Sequence, residues 1–420
     1  MKTVPVEIVR AQLPSPSDIF SAILQTTSPQ IYGFKYDRPF SYVEVPIDSN
    51  ANFSVRAGTS CSIFRHYLKQ IIVPYPLAFY YGYKVIQSSE ITEPLNILTL
   101  LVYLALTVFA LLMVFKRPLV SFAVFIYLLG TVIYSNILIL TPGMVADRFM
   151  LIPSIGFCLL LAYLLMAAFK QLNGSKPANI KSWPVGLKLS TIGVLLVYSG
   201  LSLSRNTCWK DDLTLFQHDI KFVNNSAQAH NILGHHLVAR AENTNDPLEK
   251  KQLLQQAANN LETCIRIYPP FFNATYDLGR IFARMNENDS AAYYYQLAIT
   301  LDTTYLPVWA EAADILFQQK RYAEAIPYYQ HMINYMPGNY NSYGQLSFIY
   351  FTLGDFQKSM AINQLAIKKL PANYLPYANI GRTYAAMGIK DSALMYLRRA
   401  DSMNGNDPLV KNSITELENK

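Results

Sequence analysis

Hydrophobic residues are concentrated in one third of the chain, in runs whose length matches the thickness of a lipid bilayer. A transmembrane helix needs roughly 20 consecutive apolar residues. Within 94–204 four runs have that length, and Asp147 is the only acidic residue between Leu95 and Ser204. The pattern predicts four transmembrane helices and argues against four core helices of a soluble protein. The predicted spans are Asn96–Phe115, Leu119–Leu140, Met150–Phe169 and Val185–Ser204.

The part of the chain before these runs has a weaker pattern. Residues 1–60 contain no run of span length and are predicted to form an external or irregular segment. The stretch 61–83 mixes apolar and charged residues, and Pro74 and Pro76 interrupt any helix there. This pattern favours an interfacial or re-entrant helix over a plain span, followed by a loop that completes a segment 61–93.

The second half of the chain repeats itself every 34 residues. Large side chains return in one phase and small side chains in two others, which is the pattern of the tetratricopeptide repeat (TPR), a pair of antiparallel helices that cross at small residues. About five repeats are predicted within 230–408. The large residues are Thr275, Trp309, Tyr343 and Tyr377, and the small ones are Gly279, Ala313, Ser347 and Gly381, then Ala291, Ala325, Ser359 and Ala393.

The ends of the repeat array follow from the same phase. A first repeat, His230–Pro269, fits if residues 241–251 are inserted in the turn between its two helices. Residues 205–229 are predicted to form a junction helix, and 409–420 a polar capping helix, which the open end of a solenoid needs. The predicted fold is therefore all-α, with a multi-pass transmembrane helical region followed by a soluble TPR α-solenoid.

The net charge of +7 comes almost entirely from the hydrophobic third. Residues 95–204 hold seven Lys or Arg and one acidic residue, whereas 205–420 hold twenty of each sign. The excess lies in loops between spans, so nucleic acid is not an expected partner. The cations follow the first and third spans, and the positive-inside rule therefore places loop 141–149 and the repeats on the outer face, in the periplasm or the endoplasmic reticulum lumen.

The sequence offers no familiar metal or cofactor motif. The four cysteines lack CxxC spacing, and no carboxylate stands at ligand spacing from His230, His235 and His236. No Gly-rich phosphate loop and no nucleophile elbow are present. We therefore expect no metal site and no bound cofactor.

Three stretches occur in a recognisable order. They are "YLKQIIVPYPLAFYYGY" (67–83), "ADRFMLIPSIGF" (146–157) and "RNTCWKDDLTLFQHDI" (205–220), followed by the repeats. In this order they resemble the C-terminal portion of the membrane-spanning, TPR-containing protein O-mannosyltransferases and their bacterial relatives. The resemblance implies a C-type glycosyltransferase fold, a polyprenyl- or dolichyl-phosphate-linked sugar as donor, and a Ser or Thr hydroxyl of a protein as acceptor, with the TPR array binding that protein.

The resemblance is incomplete in one respect. It implies catalytic acidic residues in a first external loop near the start of a longer membrane domain, and nothing in this sequence matches that loop. Before Tyr-Gly the family often has Asp, whereas this chain has Tyr80 and Tyr81. If the 420 residues were the complete product, the catalytic base would be expected to be absent. Catalytic residues therefore stay unassigned, and a non-catalytic periplasmic TPR scaffold stays as the alternative function.

Two groups of residues are candidate binding sites. Arg148 lies where the headgroup of a lipid-linked donor is expected, and its planar fork suits phosphate. Asp147 is predicted to orient Arg148 or to contact the sugar, although an ion pair that merely ends the helix is the alternative. The sixth position of each repeat is polar and is predicted to face a peptide in the groove, unless it is only solvated surface. The donor-site candidates are Arg148, Asp147, Lys69 and Tyr81, and the groove candidates are Asp277, Glu311, Gln345 and Asn379.

Overall fold

The computed structural model describes residues 51–81, 85–137, 145–172 and 180–419. Helices account for the regular structure of these residues, which contain no β-strand, and an isolated bridge joins Tyr81 to Val145. The predicted all-α class is confirmed. The described residues belong to two compact units, one ending at Ala274 and the other beginning at Thr275. Most of the predicted irregular segment 1–60 lies outside the described residues.

The first helix, α1, covers Phe53–Ile72 and begins eight residues before the predicted boundary at Cys61. Asn52 explains the earlier start, because its side chain accepts a hydrogen bond from the Val55 N–H at 2.9 Å and caps the helix. The helix ends before Pro74, as a proline requires. Gly58 allows close packing here, since a Cβ at that position would lie 2.3 Å from the backbone of Glu90.

Four apolar helices follow: α2 (Pro94–Met113), α3 (Pro118–Ile133), α4 (Leu151–Ala168) and α5 (Val185–Asn206). Three segments of the described residues are long and apolar enough to cross a membrane, namely Pro94–Met113, Asp147–Ala168 and Val185–Lys210. These segments place the chain among membrane proteins.

The helix α3 is shorter than the predicted span Leu119–Leu140. It has 16 residues, and its C-terminal residue is Ile133. Asn136 adopts a positive φ of 62°, a conformation that cannot continue a right-handed helix. The prediction failed at this end because apolar residues continue past the turn, whereas the backbone does not remain helical. The last predicted residues, 138–140, lie outside the described residues.

Several polar side chains of α1, α2 and α3 are hydrogen-bonded to one another. Arg65 of α1 donates to the Asn96 side chain at 2.7 Å and to the Thr99 hydroxyl at 2.9 Å, both on α2. The Tyr103 and Tyr127 hydroxyls, on α2 and α3, lie 2.7 Å apart. A buried hydrogen-bonding group without a partner is costly. These pairings explain how the charged residues of α1 pack beside apolar helices.

The first repeat consists of two long helices, α7 (Ala227–Asn243) and α8 (Pro247–Ile267). A short helix, α6 (Asp212–Asp219), precedes them. The eleven inserted residues, 241–251, were expected in the turn, but most of them extend α7 and α8. Asp246 limits the turn, since its side chain accepts from the Leu248 N–H at 2.9 Å and caps α8.

Four helix pairs and a terminal helix form the rest of the array. The 34-residue phase puts Trp309 and Tyr343 at 0% exposure. Helices cross at the small positions, and a Cβ on Gly279 would lie 2.4 Å from the Tyr295 ring. The pairs are α9 (Phe272–Arg284) with α10 (Asn288–Leu301), α11 (Leu306–Gln318) with α12 (Tyr322–Tyr335), α13 (Tyr340–Thr352) with α14 (Phe356–Lys369), and α15 (Leu375–Ala386) with α16 (Lys390–Met403).

The last helix, α17, covers Pro408–Glu418. It contributes Val410, which is fully buried, to a small cluster with Leu397 and Ala400 of α16. The outward side of α17 is polar and exposed. The helix therefore has the character of a solenoid cap.

Candidate functional site

A hydrogen-bonded group of polar side chains lies at the start of α4. Gln70, in the last turn of α1, donates to the Asp147 carboxylate at 2.9 Å and to the Tyr81 hydroxyl at 2.7 Å. The Tyr81 hydroxyl is also a hydrogen-bonding neighbour of Asp147 and accepts from the Ala78 N–H at 2.9 Å. The bridge between Tyr81 and Val145 holds the two segments side by side. We call Gln70, Tyr81 and Asp147 the polar triad.

The polar triad is largely withdrawn from solvent, since Gln70 and Tyr81 are buried and Asp147 is half-buried. The His66 ring meets the Tyr81 ring edge-on at 4.8 Å. The Gln70 Oε1 and His66 Nε2 atoms are buried and accept or donate no hydrogen bond within the described residues. The Asp147 carboxylate is therefore held in place by hydrogen bonds, and two buried polar atoms beside it form no hydrogen bond with the described residues.

Arg148 does not pair with Asp147 in the structure. The Asp147 side chain turns toward Gln70 and Tyr81, while Arg148 is exposed and its guanidinium lies 5.0 Å from the centre of the Phe149 ring. The predicted orientation of Arg148 by Asp147 is therefore wrong for this conformation. The reason is geometric, because the two residues occupy one 3-10 turn, Asp147–Met150, and their side chains leave it in different directions.

The four predicted donor-site residues are thus only partly brought together. Tyr81 and Asp147 are in contact, and Arg148 follows Asp147 with its charge open to solvent. Lys69 is exposed and directly precedes Gln70. The sequence interpretation missed Gln70. An uncharged amide beside a lysine carries no signal in a single sequence, so only the fold identifies it.

A second buried polar centre, Asp219, was also missed. Its carboxylate is 0% exposed and forms a two-pronged ion pair with Arg205, in which the Nη2–Oδ2 distance is 2.8 Å. His218 Nδ1 lies 2.8 Å from Oδ1, and the Phe79 N–H donates to Oδ2 at 2.8 Å. Asp219 therefore joins the end of α5, the helix α6 and the segment that carries Tyr81.

The four groove candidates are half-buried on the first helices of their repeats. Glu311 accepts from the Tyr276 hydroxyl at 2.6 Å, and Asn379 donates to the Tyr340 hydroxyl at 2.9 Å. Asp277 lies 3.5 Å from Arg280. Three of the four thus have partners within the array, so plain solvated surface does not describe them.

Two of these candidates, Gln345 and Asn379, line a cavity of about 500 Å³ between α13 and α15. Aromatic side chains, Phe317, Phe348 and Phe351, form much of its wall. A cavity of this volume is within the range of small-ligand and side-chain pockets. This cavity is a defined pocket within the described part of the groove.

No group of three or more His, Cys, Asp or Glu side chains in the described ranges is placed to hold a metal ion. The four cysteines are free thiols, and three of them are buried.

Comparison with known families identifies the second half of the chain. The tetratricopeptide-repeat family matches residues 316–373 and 376–407. The C-terminal array consists of tetratricopeptide repeats. Solved structures resemble the chain only loosely. YrrB, a TPR protein with an unusual peptide-binding site, has a TM-score of 0.38 at 15% identity, covering 47% of this chain and 96% of its own. MamA has a TM-score of 0.33 at 20% identity, and the match covers 39% of this chain and 96% of MamA.

Curated relatives match about half of the chain. The chain is 26% identical over 181 residues to mouse Protein O-mannosyl-transferase TMTC3, which is 43% of this chain and 18% of that protein. It is 25% identical over 275 residues to Drosophila melanogaster Protein O-mannosyl-transferase Tmtc3, and this match covers 55% of this chain and 29% of that protein. The chain matches less than a third of the length of these relatives. The predicted resemblance to TPR-containing O-mannosyltransferases is confirmed.

Proposed function

We propose that the chain takes part in transferring a sugar from a polyprenyl- or dolichyl-phosphate carrier to a Ser or Thr hydroxyl of a protein, and that its TPR array binds the acceptor protein. The observation that carries the proposal is the polar triad beside the exposed Arg148, at the end of an apolar helix. Similarity to O-mannosyl-transferases over 275 residues supports it independently. The residue that removes the acceptor proton is not assigned.

The two parts of this site suit the two parts of a lipid-linked sugar. Arg148 has no carboxylate within ion-pair distance in the described residues, so its guanidinium is open to a phosphate. It lies at the start of an apolar helix, and this position supports contact with a lipid headgroup. Asp147 is held by Gln70 and Tyr81, and a fixed carboxylate accepts hydrogen bonds from sugar hydroxyls.

Donor binding is therefore expected to depend on Arg148. Arg148→Ala should weaken binding of polyprenyl-phosphate-mannose by about 2 kcal/mol, which corresponds to roughly 30-fold in affinity. This value is at the low end of the range for charge-assisted contacts because Arg148 is exposed. Arg148→Lys should fall between the parent and the alanine variant, since Lys keeps the charge without the fork. Binding is measured on the purified full chain in lipid nanodiscs, with melting temperatures recorded for each variant.

The matched control is Arg117→Ala, which removes another exposed arginine from a loop next to an apolar helix. It should bind the donor like the parent. If Arg148→Ala and Arg117→Ala bind equally well, Arg148 does not hold the phosphate and the proposed donor site is wrong.

We also propose that the repeats lie on the periplasmic or lumenal side, opposite the loop that contains Lys116. The asymmetry of the cations supports this orientation. In a background without the native cysteines, an impermeant maleimide applied to intact cells should label Asp289→Cys and leave Lys116→Cys unlabelled. Both positions are exposed, so access to the reagent differs only by side. The reverse labelling pattern would overturn the proposed topology.

The alternative function is a non-catalytic scaffold that binds proteins at the membrane. The 500 Å³ cavity in the TPR groove supports the scaffold as much as the transferase, because the array could bind a peptide without any activity of the membrane region. One measurement distinguishes the two functions. A scaffold binds peptide but shows no saturable binding of the donor lipid.

A further inference from the structure

We infer that the concave face of the TPR array selects an extended peptide by the order of its charges: a basic residue against α11, a large apolar side chain in the cavity between α13 and α15, and an acidic residue against α15. This inference rests on the proposed role of the array in binding the acceptor protein. It is carried by a second row of residues, one helical turn after the first, that the repeat phase places on the same face. That row is Arg280, Asp314, Phe348 and Arg382.

The acidic end of the groove is Glu311 and Asp314 on α11. They are three residues apart and therefore share one face of the helix. Each accepts a hydrogen bond from a tyrosine, Glu311 from Tyr276 at 2.6 Å and Asp314 from Tyr329 at 2.8 Å. No cation lies within ion-pair distance of either carboxylate in the described part of the array. Arg280 of α9 acts on Glu311 electrostatically from beyond ion-pair distance, and two half-buried carboxylates on one helix face still favour a positive side chain.

The electrostatic environment of Asp314 agrees with this description. Burial raises the pKa of its carboxyl, and the neighbouring Glu311 charge raises it further, while the Tyr329 hydroxyl acts in the opposite direction. The Glu311 charge held close by disfavours ionisation of Asp314. A bound cation would relieve that repulsion.

The centre of the groove is uncharged and aromatic. The helix α13, Tyr340–Thr352, contains no Asp, Glu, Lys or Arg. Phe348 leaves 49% of its surface exposed while lining the cavity, and its ring centre lies 5.6 Å from that of Phe317. A half-exposed aromatic on a concave wall is typical of a binding site. The cavity of about 500 Å³ has room for a large apolar side chain.

The basic end of the groove is Arg382 on α15. Its Nη1 donates to the Asn379 side chain at 3.4 Å, and no carboxylate within the described residues reaches ion-pair distance. Both residues line the same cavity as Phe348. Arg382 is the only charged residue of α15, Leu375–Ala386, so the charge of this end has one source.

The spacing of the three parts suits a short extended segment. Packed helices lie about 8–10 Å apart, so two steps from α11 to α15 cover roughly 20 Å. An extended chain advances about 3.3 Å per residue. The two charged ends therefore fit a peptide of about six or seven residues. Charge complementarity at both ends distinguishes such a peptide from an acyl chain or from a uniformly charged segment.

The test measures fluorescence anisotropy of labelled heptapeptides with the full chain in detergent. Each peptide has phenylalanine at its centre, and its ends are Lys and Glu, Glu and Lys, two Lys, or two Glu. One of the two mixed orders should bind about tenfold more tightly than its reverse and than either uniform peptide. Equal affinity for all four peptides, or no binding of any, overturns the inference.

A charge reversal makes the test specific. Arg382→Glu should weaken the preferred peptide about tenfold, and replacing the peptide's glutamate by lysine should restore most of the loss. The matched control is Arg399→Glu on α16, an exposed arginine of the same repeat that lies outside the cavity lining. Equal effects of the two variants, or no recovery with the lysine peptide, contradict the assignment of Arg382.

Failure of this inference is separable from failure of the proposed function. Arg382→Glu should leave binding of polyprenyl-phosphate-mannose unchanged, and Arg148→Ala should leave peptide binding unchanged. Ordered peptide binding without donor binding supports the groove and contradicts the transferase role. Donor binding without peptide order supports the donor site and contradicts the groove.

Discussion

Asp219→Ala should destabilise the unit that contains the apolar helices and ends at Ala274 by about 3–5 kcal/mol. This is the usual result of breaking a buried ion pair by removing one partner. The substitution leaves the Arg205 guanidinium, which is mostly buried, without its carboxylate. It also removes the acceptor of the Phe79 N–H and the neighbour of His218. The loss appears as a lower thermal midpoint of the purified chain in detergent.

Two further variants show whether the charge is responsible. Asp212→Ala, at an exposed position of the same helix, should change the free energy of unfolding by less than about 0.5 kcal/mol. Removing both charges with Arg205→Met and Asp219→Leu should recover part of the loss, because no buried charge is left unpaired. If Asp219→Ala melts at the parent temperature, Asp219 does not hold these three segments together.

Trp309→Ala should lower the stability of the TPR array by about 3–5 kcal/mol, the usual range for emptying an aromatic core position. Trp309 is 0% exposed, and its ring stacks on His331 with the ring centres 3.6 Å apart. Its Nε1 donates to the Thr303 carbonyl at 3.1 Å. Burial lowers the pKa of His331 to about 4, so the stacked imidazole is neutral near pH 7.

The same loss should not follow from truncating an exposed apolar side chain. Met395→Ala, on α16, removes a side chain that is 61% exposed and should stay within about 0.5 kcal/mol of the parent. Urea unfolding followed by circular dichroism at 222 nm measures both variants. Equal unfolding midpoints for Trp309→Ala and the parent would contradict the assignment of Trp309 to the repeat core.

Periodicity in the sequence predicts the repeat array well because the same contacts recur every 34 residues. Trp309 and Tyr343 are buried as their phase requires, and Ala291 and Ala325 lie at the helix crossings. Helix ends are predicted less well, since they depend on single caps. The start of α1 at Phe53 follows from the Asn52 cap, and the early end of α3 coincides with the turn at Asn136.

The candidate sites were only partly predictable for a related reason. Asp147 is conspicuous because no other acidic residue lies among the apolar runs. Gln70 and Asp219 lack such contrast, and each acquires its role from a partner distant in sequence: Gln70 from Asp147, and Asp219 from Phe79. In the groove, Arg382 gains significance from the cavity and from having no carboxylate of the described residues at ion-pair distance, neither of which periodicity reveals.

The central claim is that the membrane region binds a lipid-linked sugar through the phosphate. Saturable binding of polyprenyl-phosphate-mannose by the parent chain in nanodiscs tests it most directly, with polyprenyl phosphate and the uncharged polyprenol as competitors. The account predicts that polyprenyl phosphate competes and polyprenol does not, because Arg148 contacts the phosphate. Absence of saturable binding, or equal competition by polyprenol, would contradict the claim and leave the TPR array as a protein-binding scaffold.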